Sequence, residues 1–422
     1  MHFTIPRRVL LPALRAIAKC VAKVGVPITR HALVTAAPGT LGGTLTLAAT
    51  DLAAITATLA VPCDVRAAGA CALDPALWLP TVETLPEGDL DVTRAANGTV
   101  TIKTARSKRT LPTSDAADFP VVVHAEGSAR QVPVAALRTL TQRVAHAMSA
   151  DETRLHLGAL YLTVAPCELI GAPRPGLVAV ATDGHRMAVC HVATSESLPD
   201  LFDRSTRKVP PSSSSNTSGA ILIPRAAWAL LENQIDALPA DASVTFAVDA
   251  VVRPGEPGAR ELVSIGLGPA RNGVPSDLYT TKLVDAPFPS WEQVVPRDWS
   301  ATVTAKRAEL LAAAEGALAV TRGKGAIAGA IVLDFTRPGV LVVCAEDPER
   351  GTAENDIDVS CDGHPPARIG VKGEYLAHAL KAYDGETIVL GLSGELDPIV
   401  IYDPSEASSA STSRQVIMPM RV

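Results

Sequence analysis

The chain has 422 residues, 47% of them hydrophobic and only 4% aromatic, so it can bury large cores but must fill them with Val, Ile, Leu and Ala. A formal net charge of −6 excludes a surface that coats nucleic acid everywhere and confines any such contact to one face. No run approaches a membrane span, Arg15 and Lys19 interrupt the apolar positions of the N-terminal stretch, and seven cysteines without a C-x-x-C pair read as reduced thiols of a cytosolic protein.

Taken in order, the chain repeats one set of parts three times, which agrees with a prior of about 150 residues per domain. A helix over residues 8–23 opens the first unit. Leu10, Leu14, Ile17, Ala18 and Val21 recur at the spacing of a buried stripe, and Arg8, Arg15, Lys19 and Lys23 fall about half a turn away. Two apolar strands meeting at Asp51 follow within residues 45–61, then a helix over 75–85, further strands, and the turn ADFP at 117–120.

The second unit opens with a helix over 134–148. Val134, Leu137, Val144 and Met148 make its core face, with Arg138, Gln142, Arg143 and His146 on the remainder. Residues 177–192, LVAVATDGHRMAVCHV, read as strand, tight Asp-Gly turn and strand, with His185 and Arg186 at the exit. A helix over 224–238, an apolar strand and the turn APFP at 286–289 complete this unit. It also carries two Ser/Pro/Gly-rich insertions near 195–219 and 252–277, which read as surface loops. The third unit has a helix over 305–320, whose outer face mixes Lys306 and Arg307 with Glu309 and Glu315. Strands on either side of Asp347, a helix over 372–383 and the closing run RQVIMPMRV follow. The repeats put Asp51, Asp183 and Asp347 in register and imply an α+β fold, with domains at 1–125, 126–298 and 299–422.

Asp183 and His185 invite a reading as an acid–base pair or metal ligands. No nucleophile stands in a recognisable motif, no HxH or HxxxH spacing occurs, and an Asp-Gly turn already accounts for Asp183. The expectation is therefore no catalytic residue, no metal and no cofactor. Basic residues on two related helices of an acidic protein point instead to a surface that faces phosphates.

The threefold repeat, with ATDGHRMAVC at 181–190, KLVDAPFPSWEQVVP at 282–296 and VIMPMRV at 416–422, resembles the bacterial DNA polymerase III β subunit, the sliding clamp family. MHFTIPRRVLLPALRAI at the start and ARSKRTLPTSDAADFP at 105–120 match as well, so the resemblance spans nearly the whole chain. It implies tandem clamp domains, each of two helices packed on antiparallel sheets, in a head-to-tail homodimeric ring whose helices line a hole for duplex DNA, held without sequence specificity. DNA-near positions carried over are Lys23, Arg154 and His156, to which the helix pattern adds Arg138 and Arg143.

The resemblance also implies a pocket for short peptides of the polymerase III α subunit, the clamp loader, and other polymerases and repair proteins. Its residues here would be Leu157, Thr182, Gly184, His185, Arg186, Met187, Pro289, Val294, Val416, Met418, Pro419, Met420, Arg421 and Val422. Thioethers and aliphatic side chains make an adaptable apolar floor for such peptides. At the pocket rim, Gln293 replaces a basic residue and Trp291 a tyrosine. Near the DNA, Ala150 and Asp151 replace a polar pair and Leu155 a tyrosine. The dimer interface would use Arg106, Lys108, Arg109 and Leu111 against Ala319, Val320, Glu349 and Glu354, with Arg109 where the family has an aromatic residue. The expected setting is the cytoplasm, at the nucleoid, with no membrane contact. The alternative reading is a clamp-like peptide-binding protein that does not close into a ring on DNA.

Overall fold

The computed structural model describes the chain apart from residues 40, 41, 53, 126–128, 195–197, 199–218, 253–258, 272, 273, 322–328 and 422. Most of the first expected insertion, part of the second, and Val422 lie outside the described residues. Six α-helices are present among those described: α1 (Arg7–Ile17), α2 (Pro75–Glu83), α3 (Val134–Val144), α4 (Arg225–Ile235), α5 (Arg307–Thr321) and α6 (Gly373–Lys381). They fall two to a repeat, as the sequence pattern predicts.

Among the described residues the strands form two antiparallel sheets of twelve, one in each of two compact units. The first unit holds residues 1–135 and 226–283; the second holds most of 136–225 and all of 284–422. The middle repeat is thus shared. Its strands Arg130–Pro133, Ser243–Val252, Ala259–Arg271 and Val274–Lys282 belong to the sheet of the first repeat. Its strands Ala159–Cys167, Ala172–Thr182, Arg186–Ala193 and Ile221–Pro224 belong to that of the third.

Two strand pairings make these joins. In the first unit, Ile55–Ala67 pairs with Val274–Lys282, with Ala57 opposite Tyr279. In the second, Arg186–Ala193 pairs with Ser411–Ile417, with Ala188 opposite Gln415. Each time, the strand leaving the acidic turn of one repeat receives the last strand of the next.

The three register aspartates make those turns. Asp51 Oδ1 accepts the amides of Ala54 and Ile55, both at 2.8 Å. Asp183 Oδ1 accepts those of His185 and Arg186 at 2.9 and 3.1 Å, and Asp347 Oδ1 those of Glu349 and Arg350 at 2.9 and 3.0 Å. A short carboxylate satisfies amides that the strand ladder leaves unpaired where the chain reverses, so one residue type recurs there for one physical reason.

Two helices, α1 and α3, stop four or more residues short of the pattern. α1 ends at Ile17, because the residues beyond it, VAKVGVP, combine β-branched side chains with Gly25 (φ +117°) and Pro27. Lys23 consequently sits in an exposed bend and not on a helix face. α3 ends at Val144 and passes into a 3-10 turn at Ala145–Ala147. The buried faces agree with the pattern: Leu10, Leu14 and Ile17, and Val134, Leu137, Val144 and Met148, are all buried.

α5 and α6 pack tightly. A Cβ on Gly373, the first residue of α6, would come within 2.8 Å of the Leu318 side chain on α5, and Lys381 Nζ pairs with Glu315 at 2.7 Å.

Candidate functional site

The site grows from the turn between Ala172–Thr182 and Arg186–Ala193. Gly184 takes φ +93°, which a residue without Cβ adopts at no steric cost. Thr182 Oγ1 donates to the Arg186 carbonyl at 2.7 Å and accepts the Gly184 amide at 3.1 Å. Asp183 Oδ2 accepts from Arg186 Nε at 3.1 Å, so both oxygens of Asp183 are engaged by the turn. Asp183 is thus committed to capping the turn. Among the described residues no group of three or more His, Cys, Asp or Glu is arranged to hold a metal.

Arg186 is fixed from its far end as well. Its guanidinium stands 4.4 Å from the Tyr375 ring centroid and donates from Nη1 to His378 Nδ1 at 2.8 Å, both on α6. Burial and the Arg186 charge hold the His378 pKa down, which keeps the ring nitrogen an acceptor. His146, 6.1 Å away ring to ring, is pushed down to about 3 by burial, with Arg186 and His378 adding to the effect. The sequence pattern places His146 on an outer face. In the fold it is half-buried behind the turn.

The chain beyond the last strand borders this turn. Ile417 lies opposite Arg186, the Met418 amide donates to the His185 carbonyl at 2.9 Å, and the Met420 amide donates to the Gly370 carbonyl at 2.8 Å. Pro419, with no amide hydrogen, separates these two anchors. Met418 is 40% exposed and Val294 44% exposed, both large for apolar side chains.

Beneath them lies one apolar cluster containing Met187, Val416, Phe288, Trp291 and Val295. Leu157, Thr182, Met187 and Val416 are buried and form the wall. Pro289, Val294, His185, Gly184, Met418 and Arg421 are exposed. Arg154 stands at this rim too, its Nη1 3.5 Å from where a Cβ on Gly184 would be, and its Nε bonds Asp151 at 2.9 Å.

Sequence reasoning did not select Lys372, Tyr375 or His378. Tyr375 and His378 share a helix face at i, i+3, but only the folded sheet brings them to the turn. Lys372 Nζ stands 4.9 Å from the Tyr375 ring centroid, so two cations flank one aromatic ring.

Arg143 requires a correction. Its helical phase placed it with the DNA-facing residues, yet it is 7% exposed and committed inside the protein. It pairs with Glu406 at 3.1 Å, donates to the Ala382 carbonyl and stands 5.0 Å from the Tyr383 ring centroid. Its own carbonyl accepts from Gln415 Nε2 at 2.8 Å. The remaining basic positions differ: Lys23 is exposed, while Arg138 and His156 are half-buried.

The edge residues are open. Lys108–Pro112 is the end strand of its sheet, with Arg106, Lys108 and Arg109 exposed and Leu111 half-buried. On the second unit Ala319, Glu349 and Glu354 are exposed and Val320 is half-buried.

Repeated two-helix units on continuous antiparallel sheets, with an exposed apolar rim beside a pinned tail, make a clamp-type scaffold. A family model for the DNA polymerase III beta subunit, central domain, matches residues 131–210, and one for its C-terminal domain matches residues 292–421. The beta sliding clamp of Salmonella typhimurium is 26% identical over 424 residues, covering 100% of both chains. That of Escherichia coli is 25% identical over 433 residues with the same coverage. Among solved structures, the DNA polymerase III subunit beta from Pseudomonas aeruginosa superposes with a TM-score of 0.79 at 25% identity, covering 100% of both chains. A sliding clamp from Bartonella birtlesii bound to griselimycin gives 0.82 at 23% identity, again over 100% of both. The chain belongs to the bacterial DNA polymerase III β subunit family, the β sliding clamps.

Proposed function

We infer that this protein is a DNA sliding clamp: a processivity factor, without a catalytic site of its own, that encircles duplex DNA and tethers replication and repair proteins. The observation that carries this reading is an unfinished pattern. Two joins within the chain continue a sheet from one repeat to the next, and the parts of a third join are present without a partner. Among the described residues, Lys108–Pro112, the last strand of the first repeat, and residues 351–358, which leave the acidic turn of the third, are each paired along one edge only. A second copy supplies what each lacks, and head-to-tail pairing closes a ring. The three repeats, 1–125, 126–298 and 299–422, then serve as six similar units.

Lys23, Arg138 and His156, with Arg154 near the rim, would face DNA phosphates. Few and dispersed cations suit a ring that slides, since topology and not affinity retains it. The exposed rim of Pro289, Val294 and Met418, with His185 and Arg421, would take peptides of the polymerase α subunit, the clamp loader and other polymerases. Its setting would be the cytoplasm, at the nucleoid.

Light scattering across a dilution series from micromolar to low nanomolar tests this. The expected mass is twice the 43.8 kDa of the chain. A chain-sized mass throughout, with peptide binding retained, would establish the second reading, a clamp-like peptide binder that does not close; the exposed charge of Arg109 on the edge strand is what favours it.

A further inference from the structure

We propose that His378, on α6, is a positioning residue for peptide docking: its ring nitrogen holds the Arg186 guanidinium, and through it the turn on which the tail is anchored. This role rests on the peptide-docking reading and adds the residue that sets the turn.

Two different contacts fix Arg186 from α6. Tyr375 covers the face of the guanidinium, 4.4 Å from ring centroid to carbon, while His378 Nδ1 accepts from Nη1 at 2.8 Å. A stack alone lets the planar group slide and turn over the ring. An acceptor bonded to one amino group stops that turn. The i, i+3 spacing on one helix brings both contacts to a single side chain.

The other end of Arg186 reaches the tail. Its Nε donates to Asp183 Oδ2 at 3.1 Å, and Asp183 Oδ1 accepts the amides of His185 and Arg186. The His185 carbonyl then accepts the Met418 amide at 2.9 Å. A path of hydrogen bonds thus runs from α6 through Arg186 and Asp183 to the turn and to the exposed Met418. The guanidinium has donors beyond the two that Asp183 and His378 take, and these suit a backbone carbonyl of a docked peptide.

Only one state of the ring completes this path. Arginine has no acceptor, so the contact requires Nδ1 without a proton and the ring hydrogen on Nε2. A proton on Nδ1 removes the acceptor and sets a second cation against Arg186. The charges acting on the ring are those of Arg186, Glu374 and Lys381. His146 stands 6.1 Å away, ring to ring, and Asp183, Tyr375 and Lys372 lie about the guanidinium. Asp183 is committed to Arg186, and Arg186 outweighs Glu374. Burial and these cations hold the His378 pKa below the usual imidazole value, so the brace is present at neutral pH and lost as pH falls through that lowered value.

The test is fluorescence anisotropy with the full chain and a rhodamine-labelled peptide, capped at both ends, with a Leu-Phe anchor and no titratable side chain. Wild type is expected to lose about threefold or more in affinity from about pH 7.5 to about pH 5. His378→Asn, whose carbonyl oxygen replaces Nδ1 as acceptor, is expected to stay within about threefold of wild type at pH 7.5 and to lose less than half as much on acidification. His378→Lys is expected to bind about tenfold more weakly at pH 7.5. His378 is exposed, so both variants keep the fold, and His185 is common to all three proteins. One pH profile shared by wild type and His378→Asn, or full affinity in His378→Lys, overturns the role of His378 and leaves docking standing. No binding by wild type at pH 7.5 overturns both.

Discussion

Arg143 and Lys23 carry the same charge in the sequence and have opposite fates in the fold. Arg143 neutralises Glu406, whose pKa burial pushes up against the pull of Ser413 and Arg143. The pair lies with side chains 9% and 5% exposed, so removing one partner strands the other. Arg143→Met is expected to cost about 3–5 kcal/mol in denaturant unfolding. Lys23→Ala is expected to leave stability within about 0.5 kcal/mol and lower the slope of log affinity against log salt for DNA by about 1. The local sequence accounts for Lys23 leaving the helix but not for the burial of Arg143. Glu406 lies far along the chain, and only tertiary structure brings it over α3.

Acid sensitivity belongs to the residue scale too. Burial holds His146 at about 3 and His124 at about 4 in the folded state, against about 6.5 when unfolded. Between these limits the unfolded chain binds more protons, so stability falls as pH drops from about 6.5 towards 4. By pH 5 each histidine is expected to cost about 1–2 kcal/mol, and thermal unfolding of His146→Gln is expected to show a shallower acid limb than wild type.

At the scale of elements, helices and turns were largely legible and their ends were not. Apolar spacing in the first two opening helices and the order of parts in the repeat located all six helices. The stop of α1 at Ile17 depends on the Gly25 and Pro27 region, which a continuing stripe at Ala18 and Val21 masks. The acidic turns were legible because one capping geometry demands one residue type. Of the proposed peptide rim, the chain-local parts, the 182–187 turn and the tail, were legible, whereas Tyr375, His378 and Lys372 come to that turn from a helix and a strand with no mark in the sequence.

Two predictions sit at this scale. Gly373→Ala forces a methyl group into Leu318 and is expected to destabilise by about 1–3 kcal/mol, read by urea unfolding. Deleting residues 418–422 removes the two amide anchors and Met418, and is expected to abolish binding of a clamp-binding peptide by fluorescence anisotropy while the far-UV spectrum is unchanged.

For the whole molecule, threefold repetition in sequence became two units in space, because strand pairing at a join is as continuous as pairing within a repeat. No periodicity reveals that division, since it depends on which edges meet.

The sheet of the second unit has a consequence for synthesis. Strand Ser411–Ile417 lies inside it, between Arg186–Ala193 and Ile399–Tyr402, with more than two hundred residues separating it from the first of these. On the ribosome, a nascent chain therefore holds the apolar edge of Arg186–Ala193 open until long after that strand has emerged. Elongation rate over the later half of the message, and chaperones that shield strand edges, then become determinants of yield, independent of how stable the finished protein is.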